Sequence, residues 1–466
     1  MSDRPFDLVV IGGGPAGLAA ASQARQLGLS VALVDEQPAP GGQIYRAVER
    51  AEAEGRATAL GEDYRHGLGL VRAFHECGAT LFASHQAWQV EPGGRVFATD
   101  GKASRLIEGR RVLVAVGAIE RPVPIRGWTL PGVMSVGAAQ ILHKTIGLVP
   151  DAGVWIAGSG PLTLHFAAEI VAAGGRIAGI LDTAHGRLPE TALRHLGGVV
   201  RGWRYVARGL GYLARLRMAD VRRVSGVENV EALGEGRVER VRWRSGGQWQ
   251  EAPASGLLLH EGVVPNTHMT MAIGCAHDWD EAQKCFRPRT DRFGMTDVEA
   301  ILVAGDCGSI GGARVAECRG RLAALGAAAS LGVISAAERD RLAGPVEAEV
   351  SAHGALRGFL DDLYAPAAEL CVPPDDVMVC RCEGITAGRI REAASLGCRG
   401  PNQVKSFTRC GMGPCQGRMC GPTVTATLAA ALGMTPQEVG AFRIRPPLKP
   451  LRLGELAALA DAEAGE

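Results

Sequence analysis

Seven of the twelve cysteines (Cys371, Cys380, Cys382, Cys398, Cys410, Cys415 and Cys420) fall within 50 residues near the C-terminal end. Cys380 and Cys382 form C-x-C, and after 27 intervening residues Cys410 and Cys415 form C-x4-C. Cys420 repeats the x4 step. Four thiolates converging from two loops suit a zinc ion or an iron–sulfur cluster. Structural zinc loops space their ligands by two to four residues, whereas C-x-C is a tighter clamp that suits two ligands on one iron of a binuclear cluster. Gly411, Gly413, Gly417 and Gly421 leave backbone N–H groups free to donate to sulfide. The spacing therefore favours a [2Fe–2S] cluster on Cys380, Cys382, Cys410 and Cys415. Cys420 is the rival for the fourth place, and zinc is the alternative metal. Cys371 and Cys398 read as ordinary thiols.

The second set of chemistry-bearing residues is glycine. The chain holds 64, about 14 %, twice the usual ~7 %. After the apolar run FDLVVI come Gly12-Gly13-Gly14-Pro15-Ala16-Gly17, an Ala-rich helix-compatible stretch, and VALVD at 31–35. A Gly turn between a strand and a helix, inside a β–α–β unit of about 30 residues, is a dinucleotide site. Gly12 permits the turn, Gly14 lets backbone approach a pyrophosphate, and Gly17 lets helix and strand pack closely. The helix that starts at Pro15 and Ala16 offers the free N–H groups of its first turn to phosphate. Asp35 is the first choice to accept the ribose hydroxyls, with Glu36 able to share or replace it.

A weaker copy of this layout occupies 154–182. Gly158 and Gly160 fill the first two glycine positions, and Thr163 stands where the third belongs. Thr163 should push helix and strand apart or require a local adjustment. No basic pair follows the second strand to take a 2′-phosphate. NADPH, NAD and a retained but idle or repurposed fold all stay open here, the last favoured. Such a site could hold another adenine nucleotide.

Several residues read as structural. Cys77, Cys275, Cys285 and Cys307 lack the C-x-x-C or C-x4-C spacing that thiol–disulfide exchange needs, so that chemistry is rejected. His165 and His260 read as packed histidines, and no general base stands beside a recognisable pocket. Two redox centres without an acid/base pair suggest a relay, in which cofactors carry the chemistry and the protein positions them.

These residues need elements to hold them, and 466 residues allow about three domains. The composition, 47 % hydrophobic and 21 % charged, excludes bulk disorder. A net charge of +1 argues against a nucleic-acid or anionic-membrane footprint, although a local patch could hide in it. No stretch reaches the ~20 apolar residues of a membrane span, and MSDRPFD carries no apolar signal core. The expectation is a cytoplasmic protein with reduced thiols. The fold class is α/β: two Rossmann-like units plus a small, mostly helical C-terminal cluster domain. The expected boundaries are 1–150 and 263–335 for the first unit, 151–262 for the degenerate one, 336–374 for a linker, and 375–466 for the cysteine domain and tail.

The first glycine unit, the Pro38-to-Gln43 loop, RVLVAVGAIERP at 111–122 and ILVAGDC at 301–307 together resemble the two-dinucleotide-domain, disulfide-reductase-like flavoproteins. That resemblance implies FAD at the first unit, with flavin roles for Gly42, Gln43, Gly117, Gly305 and Asp306 beside Gly12, Gly14, Pro15, Ala16, Gly17, Asp35 and Glu36. The tail resembles the bacterioferritin-associated-ferredoxin-like module. Flavin unit and tail together, including RCEGIT, KSFTRCGMGPCQGRMCG and RPPLKP, resemble the larger flavoprotein subunit of octopine and nopaline oxidases, D-hydroxyproline dehydrogenases and hydrogen cyanide synthase. The resemblance implies an electron-transferring oxidoreductase subunit of a heteromeric amino-acid or amine dehydrogenase. A partner flavoprotein of the amino-acid-oxidase type would oxidise the C–N bond, and a small ferredoxin-like subunit can accompany it. It also admits FMN at a subunit interface. The rival expectation is a free-standing NAD(P)H-dependent flavin reductase feeding an iron–sulfur acceptor.

Overall fold

The computed structural model describes residues 4–464. Near the N-terminus the order is β1 (Phe6–Ile11), the helix α1 (Pro15–Gln26), β2 (Val31–Val34), β3 (Thr80–Phe82), β4 (Gln86–Val90), β5 (Arg95–Thr99) and β6 (Ser104–Val114). These strands and Ile301–Val303 form one seven-stranded sheet in the order β3-β2-β1-β6-β5-β4, with Ile301–Val303 also on β6. The strands β3, β2, β1, the second half of β6 and Ile301–Val303 run parallel. Their central residues, such as 8–11, 31–34, 112–114 and 301–303, are apolar and buried, as a sheet covered on both faces requires. The chain leaves β1 towards β2 on one side and returns to β6 on the other. The glycine turn after Ile11 therefore sits at a topological switch point, where such sheets leave a crevice.

A second, five-stranded parallel sheet is built from Val154–Ser159, Gly179–Asp182, Arg223–Ser225, Gly256–Glu261 and Val133–Ser135. Val133–Ser135 precedes residue 151, where the sequence suggests that this unit begins. It joins because Leu257–Leu259 needed an edge partner and the short strand supplies one. Three antiparallel strands, Val227–Leu233, Arg240–Ser245 and Gln248–Pro253, flank this sheet. Trp155 stacks on Trp243 with ring centroids 5.3 Å apart, which joins the two layers.

The segment 336–374, expected as a linker, is largely helical: Ala336–Gly354, Arg357–Leu363 and Ala368–Cys371. Its mixed charges are the solvent face of helices whose Ala343, Val346, Phe359 and Leu363 are buried. Beyond it, a two-stranded pair (Met378–Cys380, Ile385–Thr386) is followed by the helices Ala387–Ser395, Pro401–Thr408, Gly421–Leu432, Pro436–Val439 and Leu453–Ala464. Residues 465–466 of the expected tail lie outside the described residues.

This helical module does not stand apart. Val9, Val112, Val114 and Ile301 of the first sheet belong to the same buried cluster as Val379, Ile390, Val404, Val424 and Phe442. Leu448 N–H donates to Trp88 O at 2.8 Å, and Thr99 Oγ1 donates to Glu455 at 2.7 Å. Arg126 forks onto Asp376 at 2.7 and 2.9 Å and also reaches Glu231. Among the described residues, no helix is long and apolar enough to cross a membrane.

Candidate functional site

The first candidate centre is the glycine turn. Gly12 adopts φ +106°, and a Cβ there would lie 2.5 Å from Ala115 O. At Gly17 a Cβ would lie 1.9 Å from Gly12 O, so only glycine allows α1 to approach β1 this closely. Gly14 is the N-cap and Pro15 the first helical residue. Pro lacks the N–H that would be orphaned, and its fixed φ suits the first helical turn.

The Pro38-to-Gln43 loop folds back over this turn. Gly41 N–H donates to Gly13 O at 2.7 Å, and a Cβ on Gly42 would meet Gly14 Cα at 2.7 Å. Asp35 is buried, and its carboxylate accepts from Gly13 N–H and, at 2.7 Å, from Gln37 N–H. Burial pushes its pKa up against those two bonds. Asp35 thus fastens turn to loop. Glu36 is exposed and ion-paired with Lys449, so the C-terminal tail reaches the rim of this site. Gln43 accepts from Arg46 at 2.8 Å.

The other residues to which the resemblance gives flavin roles stand just beyond neighbouring strand ends. Gly305, φ +80°, brings its Cα side against Ala16, and on the following helix Gly320 does the same against Ala16 O. The Asp306 carboxylate accepts from Gly311 and Gly312 N–H at 2.9 and 3.1 Å. Gly117, φ +68°, has open space where a side chain would be. Cys307 is buried and donates to Val114 O and Ala304 O, and burial pushes its thiol up to about 12. It is a packed thiol. Glycine cradle, helix N-terminus and strand-end carboxylate form a donor set that fits a dinucleotide.

The weaker glycine unit has a different end. Gly158 and Gly160 keep left-handed φ values of +142° and +106°. Thr163 is accommodated rather than wedged: it is buried, and its Oγ1 donates to Gly160 O at 2.7 Å. Asp182 is occupied by Arg223 and by Ala184 N–H at 3.0 Å. At the strand ends stands Glu261, a buried carboxylate accepting from Thr183 Oγ1 and, at 3.0 Å, from Ser159 Oγ. Burial raises its pKa. Sequence reasoning missed Glu261; the signal was a carboxylate directly after the apolar run LLLH. His260 hydrogen-bonds Glu120 at 2.7 Å, and Glu120 in turn accepts from Gly137 N–H. His165 lies beside Glu169 at 3.3 Å and stacks on Tyr212. Both histidines are packed into the fold.

The second candidate centre is the cysteine loop. The Sγ atoms of Cys380, Cys410 and Cys420, all buried, lie within 4.8 Å of one another. Cys382 lies outside that trio, with its Sγ 3.8 Å from that of Cys415. The C-x-C pair therefore parts, one thiol facing the buried trio and the other the more exposed pair. Gly413 is required here, since a Cβ would lie 2.1 Å from Cys382 Cβ. Gly411 and Gly417 bring left-handed backbone against the Phe442 ring.

Thiol hydrogen bonds from Cys410 and Cys420 pull Cys380 down to about 2, and they push Cys410 up to about 12 and Cys420 upward. A cation is what lets several thiolates share one buried space. Soft sulfur donors on two short loops fit a zinc ion or an iron–sulfur cluster. Cys398 is buried in the shared core.

The cysteine loop reaches the segment that pairs with the strand after Gly117. The strand Ala118–Glu120, directly after Gly117, pairs with Val263–Pro265, and the next helix opens on His268. His268 Nε2 lies 3.3 Å from Gln416 O, inside the cysteine loop. A cavity of about 70 Å³, lined by Val264, His268, Met271, Phe286, Gly417 and Phe442 among others, separates the two sides. No sequence signal announced His268, because its partner is a backbone carbonyl 148 residues away.

Comparison with known proteins agrees with this division. Residues 6–324 match the pyridine nucleotide-disulphide oxidoreductase family, and residues 377–460 match the sarcosine oxidase A3 domain. The chain is 44 % identical to an opine oxidase subunit of Rhizobium meliloti (strain 1021), over 98 % of this chain and 99 % of that one. It is 32 % identical to hydrogen cyanide synthase subunit HcnB of Pseudomonas aeruginosa, over 97 % of each. Among solved structures, the L-proline dehydrogenase of P. horikoshii superposes with a TM-score of 0.70 at 20 % identity, covering 97 % of this chain and 79 % of that one.

Proposed function

The chain belongs to the pyridine nucleotide-disulphide oxidoreductase family and, within it, to the group that holds HcnB and the opine oxidase subunit; from that premise we propose that it is the FAD- and [2Fe–2S]-containing electron-transfer subunit of a heteromeric amino-acid or amine dehydrogenase. A partner flavoprotein of the amino-acid-oxidase type oxidises the substrate's C–N bond, on an opine, a D-hydroxyproline or a glycine-type amine. The observation that carries the reading is the packing of the first sheet and the cysteine module into one core, with His268 reaching the Gln416 carbonyl.

In this reading Gly12, Gly14, Pro15, Ala16 and Gly17 seat the FAD pyrophosphate at the start of α1, and Asp35 with Glu36 fixes the adenosine end. Gly42, Gln43, Gly117, Gly305 and Asp306 bound the flavin end. Cys380, Cys382, Cys410 and Cys415 hold the cluster, and buried Cys420 is the rival fourth ligand. When bound, the two groups supply two-electron and one-electron redox chemistry respectively. The protein's part is to fix their positions and to exclude water with Phe442, Val264 and Met271.

The rival reading, a nicotinamide-driven reductase, draws support from Gly158 and Gly160. Against it, Glu261 places a carboxylate at the strand ends and Asp182 is already paired. Anaerobic titration of the chain alone with NADH and NADPH should leave the flavin oxidised, whereas the amine with the co-purified partner should bleach it. Rapid bleaching by either nicotinamide would overturn the proposal. Iron and labile-sulfide analysis of anaerobically purified protein should find both, and zinc without sulfide would remove the relay. Cys415→Ser should abolish the cluster's visible absorbance while Cys398→Ser keeps it. If Cys420→Ser abolishes it and Cys415→Ser does not, Cys420 is the fourth ligand.

A further inference from the structure

The segment 187–218 is inserted between the strands Gly179–Asp182 and Arg223–Ser225 of the second sheet. It carries seven arginines against one glutamate, in a chain whose net charge is only +1. Positive charge is therefore concentrated here and offset elsewhere. Three helices build the segment: Leu188–Arg194, Leu196–Arg201 and Trp203–Met218.

The last of these is apolar on two faces. Its inner face, with Tyr205, Val206, Tyr212, Leu213 and Leu216, packs on Phe166, Ile170, Leu356 and Phe359. The face turned to solvent should be polar. At about 100° per residue, Trp203, Ala207, Leu210, Ala214 and Met218 instead fall within an arc of about 80°, and all five are exposed. Trp203 is 60 %, Leu210 59 % and Met218 88 % exposed. Leu193, Leu196 and Val200 extend the apolar surface along the two preceding helices, each more than half exposed. A continuous stripe of this kind marks an interaction surface, where a single exposed leucine would not.

Arginines flank the stripe: Arg204, Arg208 and Arg215 on one side, Arg217 on the other. Arg208 is paired with Asp63. Arg201, Arg204, Arg215 and Arg217 make no ion pair among the described residues. Trp, Met and Arg suit a protein interface as well, but guanidiniums without an ion partner on both edges of the stripe, against one glutamate in the whole segment, favour a uniformly anionic surface. Tryptophan, leucine and methionine sink into the acyl boundary while arginine heads stay among the phosphates.

We propose that this face docks the protein on anionic lipid, with the Trp203–Met218 helix lying in the plane of the bilayer surface. The inference is independent of which substrate or acceptor the complex uses.

The test is co-sedimentation of the full chain, alone and with its co-purifying subunits. The vesicles are phosphatidylcholine, with or without about 30 % phosphatidylglycerol. Both forms should bind the anionic vesicles at least about tenfold more tightly, and the preference should collapse when salt shortens the screening length to about 3 Å. Arg204→Glu with Arg215→Glu and Arg217→Glu should remove the preference, and Trp203→Ser with Leu210→Ser should weaken binding, with the flavin and cluster spectra unchanged. The salt response of the unmodified protein keeps the test valid should a variant fold poorly. Equal binding to neutral and anionic vesicles would overturn the proposal. So would binding by the isolated chain that vanishes in the assembled complex, or charge-reversed protein that binds vesicles normally but no longer assembles. The last two outcomes would assign the face to a protein partner.

Discussion

At the scale of single residues, the glycines divide by what surrounds them. Gly17 has a carbonyl oxygen 1.9 Å from where its Cβ would be, while Gly28 and Gly174 have nothing within 4 Å. Gly17→Val should therefore separate α1 from β1 and lower the flavin content of purified protein, with a stability loss of about 1–3 kcal/mol from overpacking. Gly28→Ala should leave the flavin content unchanged, although its φ of +85° will cost some stability. An absorbance ratio at flavin and protein wavelengths reads both. The motif was legible in the sequence because each glycine answers to a local steric demand. Glu261 and His268 were not, since their meaning comes from partners on other strands and loops. The cysteines lie between these cases. Their spacing announced a cluster, but only the folded loop sets Cys420 beside Cys380 and Cys410, and Cys382 beside Cys415.

At the scale of elements, the helix Val136–Ile146 carries a lysine into the interior. Lys144 is 2 % exposed; its Nζ donates to Ile44 O at 3.0 Å and faces the Tyr64 ring, with Glu169 nearby. It thereby anchors the chain just beyond the Gly41–Gly42 loop. Burial lowers its pKa to about 8. In the unfolded chain the group titrates near 10.4, so between these values the unfolded state holds more protons and stability rises with pH. The contribution is on the order of 3 kcal/mol across that window and flat below it. Lys144→Met should remove this rise, as measured by urea unfolding of both proteins between about pH 7.5 and 10.5. Equal pH slopes for the two would show that Lys144 titrates normally. The helix is bounded by Ser135 at its N-cap and Gly147 at its end, but nothing in the sequence marks Lys144 as buried; the segment 336–374 reads as a linker for a different reason. Its apolar residues are spaced for packing on three different neighbours, so no single face repeats cleanly enough to stand out.

At the scale of the whole molecule, the α/β class and the helical cysteine module were both legible, the first from strand–Gly–helix order and the second from cysteine density. Their fusion was not, because hydrophobic positions on Val379, Val404 and Val424 do not reveal that they close over Val9, Val112 and Ile301. That shared core predicts how the protein loses structure. Stripping metal with a chelator should shift one cooperative melting transition of the entire chain downward, observed alike by flavin release and by far-UV circular dichroism. A separate early transition confined to the helical tail would show that the module folds on its own.

The bridge between Glu36 and Lys449, together with the burial of Glu455 against Thr99, ties the end of the chain to its beginning. Enzymes whose carriers sit on separate lobes deliver electrons by swinging, and such traffic slows when the solvent thickens. This chain has no slack in which to swing. On the proposed reading, electrons pass between its two centres by tunnelling across a fixed gap, at a rate that glycerol or crowding should leave untouched.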